Sequence, residues 1–211
     1  MTLHRLLSAA AAATLILAAA GPAAAQDDTA QPGQSQTASG QRPAEPAGKK
    51  GEKFTQNEVV QAAAGFFGAT SEAVAKVVQK IFSENGLPDA YVKGDEFSGA
   101  VVLGVRYGKG WLMRKGYEPV RVYWQGPSAG FDLGANASKA FMLIYNLRGA
   151  DQLYQRFPGV DGSFYFVAGI GVNYLRGDGV TIAPMRTGVG LRAGANIGYI
   201  TFTRHDTWNP F

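Results

Sequence analysis

The chain contains no cysteine. That excludes a disulfide framework, a thiolate metal site, a cysteine nucleophile and a lipidated N-terminal cysteine. Histidine is nearly absent too, with only His4 and His205. His4 falls in a stretch that reads as an export signal, and the single histidine left is too few for a multi-histidine metal centre. Charged residues are 17% of the 211, below the usual ~25%. The net charge of +4 is spread along the chain, without the dense basic block that nucleic-acid binding favours. No catalytic residue, metal site or cofactor is assigned on this composition. What is plentiful is glycine, 28 residues where ~7% is usual. Every Phe, Tyr and Trp lies beyond residue 53.

Residues 1–25 read as a signal peptide. His4 and Arg5 form a short basic start, Leu6 to Ala20 an apolar run, Gly21-Pro22 a break, and Ala23-Ala24-Ala25 a small-residue cleavage site, with Gln26 as the new N-terminus. The apolar run is shorter than the ~20 residues a membrane span needs. Residues 26–53, rich in Gln, Ser, Thr, Pro and Gly and with only alanine as an apolar residue, are expected to be a disordered linker. Residues 54–211 are then one domain, with a helical pair at 54–85 and strands over 86–211.

Thr55-Gln56-Asn57-Glu58 has the T-x-x-E pattern of a capping box. The stripe Val59, Ala63, Phe66, Phe67 predicts a helix over 55–67, stopped at Gly68. Val74, Val77, Val78, Ile81 and Phe82 recur at helical spacing and predict a second helix over 71–84, ended by Asn85-Gly86 and Pro88. Beyond residue 88 the period becomes 2. Runs at 99–107, 111–115, 119–124, 140–147, 164–174 and two within 187–202 predict about eight to ten antiparallel strands. Gly108-Lys109-Gly110 reads as a hairpin connection, Asp161-Gly162 and Asp178-Gly179 as turns, and 150–156 as an inserted helical turn. The expected fold is mainly β: a small, antiparallel, Gly-rich, soluble β-barrel preceded by two short amphipathic helices packed on it.

Gly126-Pro127-Ser128-Ala129-Gly130 matches G-x-S-x-G, and Asp132 or Asp151 with His205 completes a triad order. A nucleophile elbow needs a helix after the serine, however, and 131–147 reads as strand. Gly169-Ile170-Gly171 and Gly188-Val189-Gly190 open no helix, so they are not phosphate loops. Arg176-Gly177-Asp178 reads as a hairpin tip. Asp95 and Glu96 are adjacent, so a strand would send them to opposite faces.

Tyr91–Leu112 (YVKGDEFSGAVVLGVRYGKGWL) and Tyr123–Leu147 (YWQGPSAGFDLGANASKAFMLIYNL) resemble the envelope integrity protein A (EipA) family of Gram-negative periplasmic proteins. The resemblance implies a soluble periplasmic barrel of roughly eight strands. It also implies a role in envelope integrity and envelope-stress resistance, with no known catalysis. A remoter similarity, carried by Val105–Gly110 and by Gly126, Gly130, Gly134 and Ala135, is to SYLF lipid-binding domains. The expected ligand is a lipid or envelope glycan. Its expected site is on the sheet of 105–147, where Arg106, Lys109, Trp111, Arg121 and Tyr123 offer cationic heads and amphipathic rings. There Arg121 and Tyr123 share one strand face, and Val120, Val122 and Trp124 the other. A monomer is expected, neither spanning a membrane nor binding nucleic acid. Two rival readings are an integral outer-membrane barrel, suggested by Phe211 and the aromatic content, and a serine hydrolase using Ser128.

Overall fold

The computed structural model describes residues 41–100, 103–129, 134–187 and 198–207. The signal, the first part of the linker, Asp132, Gly188-Val189-Gly190 and Phe211 lie outside the described residues.

Helix α1 spans Gln56–Phe67 and α2 spans Ser71–Asn85. The Thr55–Glu58 capping box forms in both directions, and Thr70 caps α2 through its side chain. Gly68 closes α1 in the left-handed region at φ 65°. Ten strands follow among the described residues: β1 (Ala90–Ala100), β2 (Leu103–Arg114), β3 (Tyr117–Ala129), β4 (Gly134–Tyr145), β5 (Arg156–Pro158), β6 (Tyr165–Val167), β7 (Ile170–Val172), β8 (Leu175–Gly177), β9 (Val180–Thr187) and β10 (Tyr199–Thr203). A short 3-10 turn at Ala150–Leu153 precedes β5.

The strand pairs of the described residues are antiparallel, in the order β5-β10-β3-β2-β1-β4-β9-β7-β6, with β8 pairing the first half of β9. β8 also touches the end of β5 through a bridge between Gly159 and Leu175. Eight strands therefore follow one another round the curl and meet, while β7 and β6 continue from the second half of β9. Close approach at the seam requires glycine, since a Cβ on Gly177 would lie 2.8 Å from the Arg156 carbonyl oxygen.

The Gly108-Lys109-Gly110 segment is not a turn. β2 runs straight through it, and the β2–β3 turn is at Lys115-Gly116. The reason lies across the sheet: a Cβ on Gly108 would stand 2.0 Å from the Trp124 indole, and one on Gly110 would stand 2.3 Å from the Lys93 carbonyl oxygen. These glycines let a large ring and a neighbouring backbone come close. The predicted run 164–174 also divides, into β6 and β7, at Ala168-Gly169.

Alternation sorts each long strand into two faces. Ala90, Val92, Leu112, Val122, Trp124, Ala140, Met142, Ile144, Ile182, Phe157 and Phe202 pack together inside the curl, all buried. On the outer flank Tyr91, Phe141, Leu143, Tyr145, Ala183 and Met185 meet Val59, Ala63, Val74, Val77, Val78 and Ile81 of the helices. Tyr91 stacks on Phe141 with ring centroids 4.8 Å apart. The helical pair is thus held on the flank of the sheet. Within it Ile81 is fully buried while Phe82 is only partly so. Ile81→Ala is expected to cost about 2–5 kcal/mol and Phe82→Ala less. Urea unfolding of the two variants measures the order.

Residues 41–53 belong to the stretch read as linker, and they lie against the β2–β3 hairpin. The Lys115 ammonium, with only 2% of its side chain exposed, bridges Glu52 (3.2 Å) and Glu58 (2.8 Å). Gly116 N–H donates to the Pro46 carbonyl, and Arg42 pairs with Glu118 at 3.2 Å. Composition carries no sign of these contacts because the paired charges are 63 residues apart in sequence for Glu52 and Lys115 and 76 for Arg42 and Glu118.

Candidate functional site

The strand register brings four of the five sequence-predicted residues together. Lys109 is opposite Tyr123, and Trp111 is opposite Arg121, across β2 and β3. All four point to the outer face and are half-buried. The Arg121 guanidinium lies over Trp111 (5.1 Å to the centroid) and over Tyr123 (5.6 Å). Cation–π contact of this kind holds the charge beside the rings without burying it. The patch continues onto β1, where Lys93 is level with Trp111, Asp95 with Lys109, and Phe97 with Tyr107. Phe97 is 51% exposed. Its place in phase with Lys93 and Asp95 is the sequence signal that marks it as outward-facing.

Arg106 does not join them. It is in phase with Leu112, so it points inward, and there it meets Glu96 and Arg186. Glu96 is 2% exposed. Arg186 donates to it through Nε (2.9 Å to Oε1) and Nη2 (3.3 Å to Oε2), and Trp124 Nε1 donates to Oε2 at 2.9 Å. Arg106 Nε stands 3.0 Å from Oε1 but lacks the alignment of a hydrogen bond. Arg186 Nη1 also donates to Asn173 Oδ1 at 3.1 Å. The register explains the convergence, since Glu96, Gly108, Trp124 and Phe202 are consecutive partners across β1, β2, β3 and β10. The indole crosses the space that Gly108 leaves empty and reaches the carboxylate. Asp95 and Glu96 do point to opposite faces, as their adjacency requires.

Burial alone would push the Glu96 carboxyl up. The two guanidiniums and the hydrogen bonds from Arg186 and Trp124 outweigh it and hold the group below the usual carboxylate range. Burial also lowers Arg106, to about 10, with Arg186 adding to the shift and Glu96 opposing it. A carboxyl with a lowered folded value stabilises the fold above its unfolded value and loses that contribution as pH falls through the folded one. Glu58 and Glu84 are lowered as well. For Glu58, burial works upward but hydrogen bonds from Lys115 and Thr55 outweigh it; for Glu84, hydrogen bonds from Lys80 and Tyr174 act first. The urea midpoint is therefore expected to decline as pH drops below about 4.5, and the decline should be shallower in Glu96→Gln.

Ser128 sits in β3, level with Gly104 of β2, and β4 follows rather than a helix. Asp151 pairs with Arg204 at 2.8 Å, and His205 is exposed. No elbow forms around the serine. Among the described residues no group of His, Asp and Glu is arranged to hold a metal ion, and no helix is long and apolar enough to cross a membrane.

No curated protein matches the chain. The crystal structure of a β-barrel-like, uncharacterized protein from Brucella abortus is 45% identical and superposes with a TM-score of 0.69, over 75% of this chain and 99% of that one. The family model of envelope integrity protein A matches residues 52–211, and the chain belongs to that family.

Proposed function

We propose that the protein is a non-catalytic periplasmic factor that supports the cell envelope by holding an envelope-derived amphiphile, a lipid or a glycan-bearing lipid, on the outer face of β1–β3. The observation that carries this reading is the grouping of Lys109, Trp111, Arg121 and Tyr123 on one outward face, with Arg121 over both rings. Amphipathic rings take the apolar body of such a ligand and the cations take its polar end. The alternative seat for an acyl chain, the interior, is occupied by Trp124, Phe157, Phe202, Met142 and Leu112. Family membership supports the envelope role.

The polarity of the faces argues against an integral outer-membrane barrel. Such barrels carry an apolar band outside and a polar interior. Here the interior is chiefly apolar, and Lys93, Asp95, Lys109 and Arg121 lie outside. The protein is read as exported, with its signal removed after Ala25, and as a monomer.

Mass spectrometry of an organic extract of protein purified from its own periplasm tests the ligand. An amphiphile is expected with the wild type and should be depleted at least tenfold in Arg121→Glu. Equal extracts from the two proteins, or none from the wild type, would show that the outer face does not hold the ligand.

A further inference from the structure

Among the described residues the interior charge cluster carries one more cation than anions. Among the described residues two guanidiniums, Arg106 and Arg186, face one carboxylate, Glu96, and all three are at least nine-tenths buried. Arg186 takes both Glu96 oxygens and Asn173 as well. Arg106 shares the same carboxylate, with its Nε 3.0 Å from Oε1, and that Nε is buried without a hydrogen bond. A buried cation without its own counter-charge is strongly unfavourable. A guanidinium whose fork is not used by its neighbour is suited to a planar or tetrahedral oxyanion, which it binds through paired N–H groups. The cluster is the polar layer at one end of the interior. There β1 leads to β2, β3 to β4 and β9 to β10, and the packed apolar layer lies beneath it.

We propose that Arg106, with Arg186 beside it, forms an anion site inside this end of the barrel that takes a phosphate group, either as the free ion or as the head of a phosphorylated envelope molecule. The site is separate from the outer face of Lys109, Trp111, Arg121 and Tyr123 and does not depend on it. Glu96 orients Arg186 and leaves one positive charge among the described residues of the cluster, which a single anionic group would balance.

The test is thermal unfolding and calorimetric titration of the purified protein with inorganic phosphate, and in parallel with dihexanoyl phosphatidic acid below its micellar concentration, at fixed pH and ionic strength against chloride. A saturable rise in the melting temperature is expected for wild type. In Arg106→Gln, which leaves the neutral Glu96–Arg186 pair and should fold, affinity should fall at least tenfold. Arg121→Glu should retain the wild-type response, which keeps this proposal distinguishable from the outer-face reading. Tighter binding of the phosphatidic acid would identify a headgroup as the source, and equal or tighter binding of inorganic phosphate the free ion. A wild type with no saturable response to either, or a response unchanged in Arg106→Gln, would overturn the site.

Discussion

Glu96→Gln is expected to destabilise the protein by about 3–5 kcal/mol, the usual effect of leaving buried charge without its partner. For a chain of this size that corresponds to a fall in melting temperature of roughly 10 °C or more. The substitution preserves shape, so the loss would be electrostatic. The amide can still meet Trp124, but two guanidiniums would then face each other with no anion among the described residues. Glu96→Gln combined with Arg106→Gln should recover part of the loss, since one uncompensated cation is removed with the carboxylate. Urea midpoints of the two single variants and the double variant measure this. A Glu96→Gln protein unfolding within a degree of wild type would show that the cluster is not the electrostatic centre of the interior.

Gly108→Ala should do comparable damage with a single methyl group. The new Cβ would fall 2.0 Å from Trp124 Cε2 and 2.2 Å from its Nε1. The ring has nowhere to retreat: its N–H is bonded to Glu96 and it packs on Phe202 with centroids 5.9 Å apart. Overpacking costs about 1–3 kcal/mol, and losing the charge-assisted bond about 1.5–3 kcal/mol more. Gly149→Ala, where the backbone is extended at φ −150° and no atom lies within 4 Å of the added carbon, is the control for the loss of glycine without a clash. If the urea midpoint of Gly108→Ala is as high as that of wild type, the close seat of the indole is wrong.

The helices were legible because their signals are local. A capping box and a five-residue stripe need no knowledge of the rest of the chain, and the ends agree within a residue. The strand faces were legible in part for the same reason: Arg121 and Tyr123 alternate with Val122 and Trp124. The Gly108-Lys109-Gly110 segment was not, since glycine marks a turn and a close strand approach with the same letter. Only Trp124 and Gly94 on the neighbouring strands tell which applies. The interior cluster was hidden for a related reason. Glu96 is in phase with Val92, Arg106 with Leu112, and Arg186 with Ile182, so alternation alone sends each inward. That they meet depends on register across β1, β2, β4 and β9, which no local pattern states. Arg106 was accordingly grouped with Arg121 by type, although the two lie on opposite faces.

In the proposed function the outer cationic and aromatic face carries the envelope role. Its most direct test is rescue by Arg121→Glu in cells that lack the gene and are challenged with an envelope-disrupting detergent. A half-exposed side chain changed on the surface should alter stability by no more than about 0.5 kcal/mol, so the variant should accumulate and melt as wild type does. It is nevertheless expected to fail to restore growth under the challenge. Full restoration by the folded Arg121→Glu protein would contradict the proposed function.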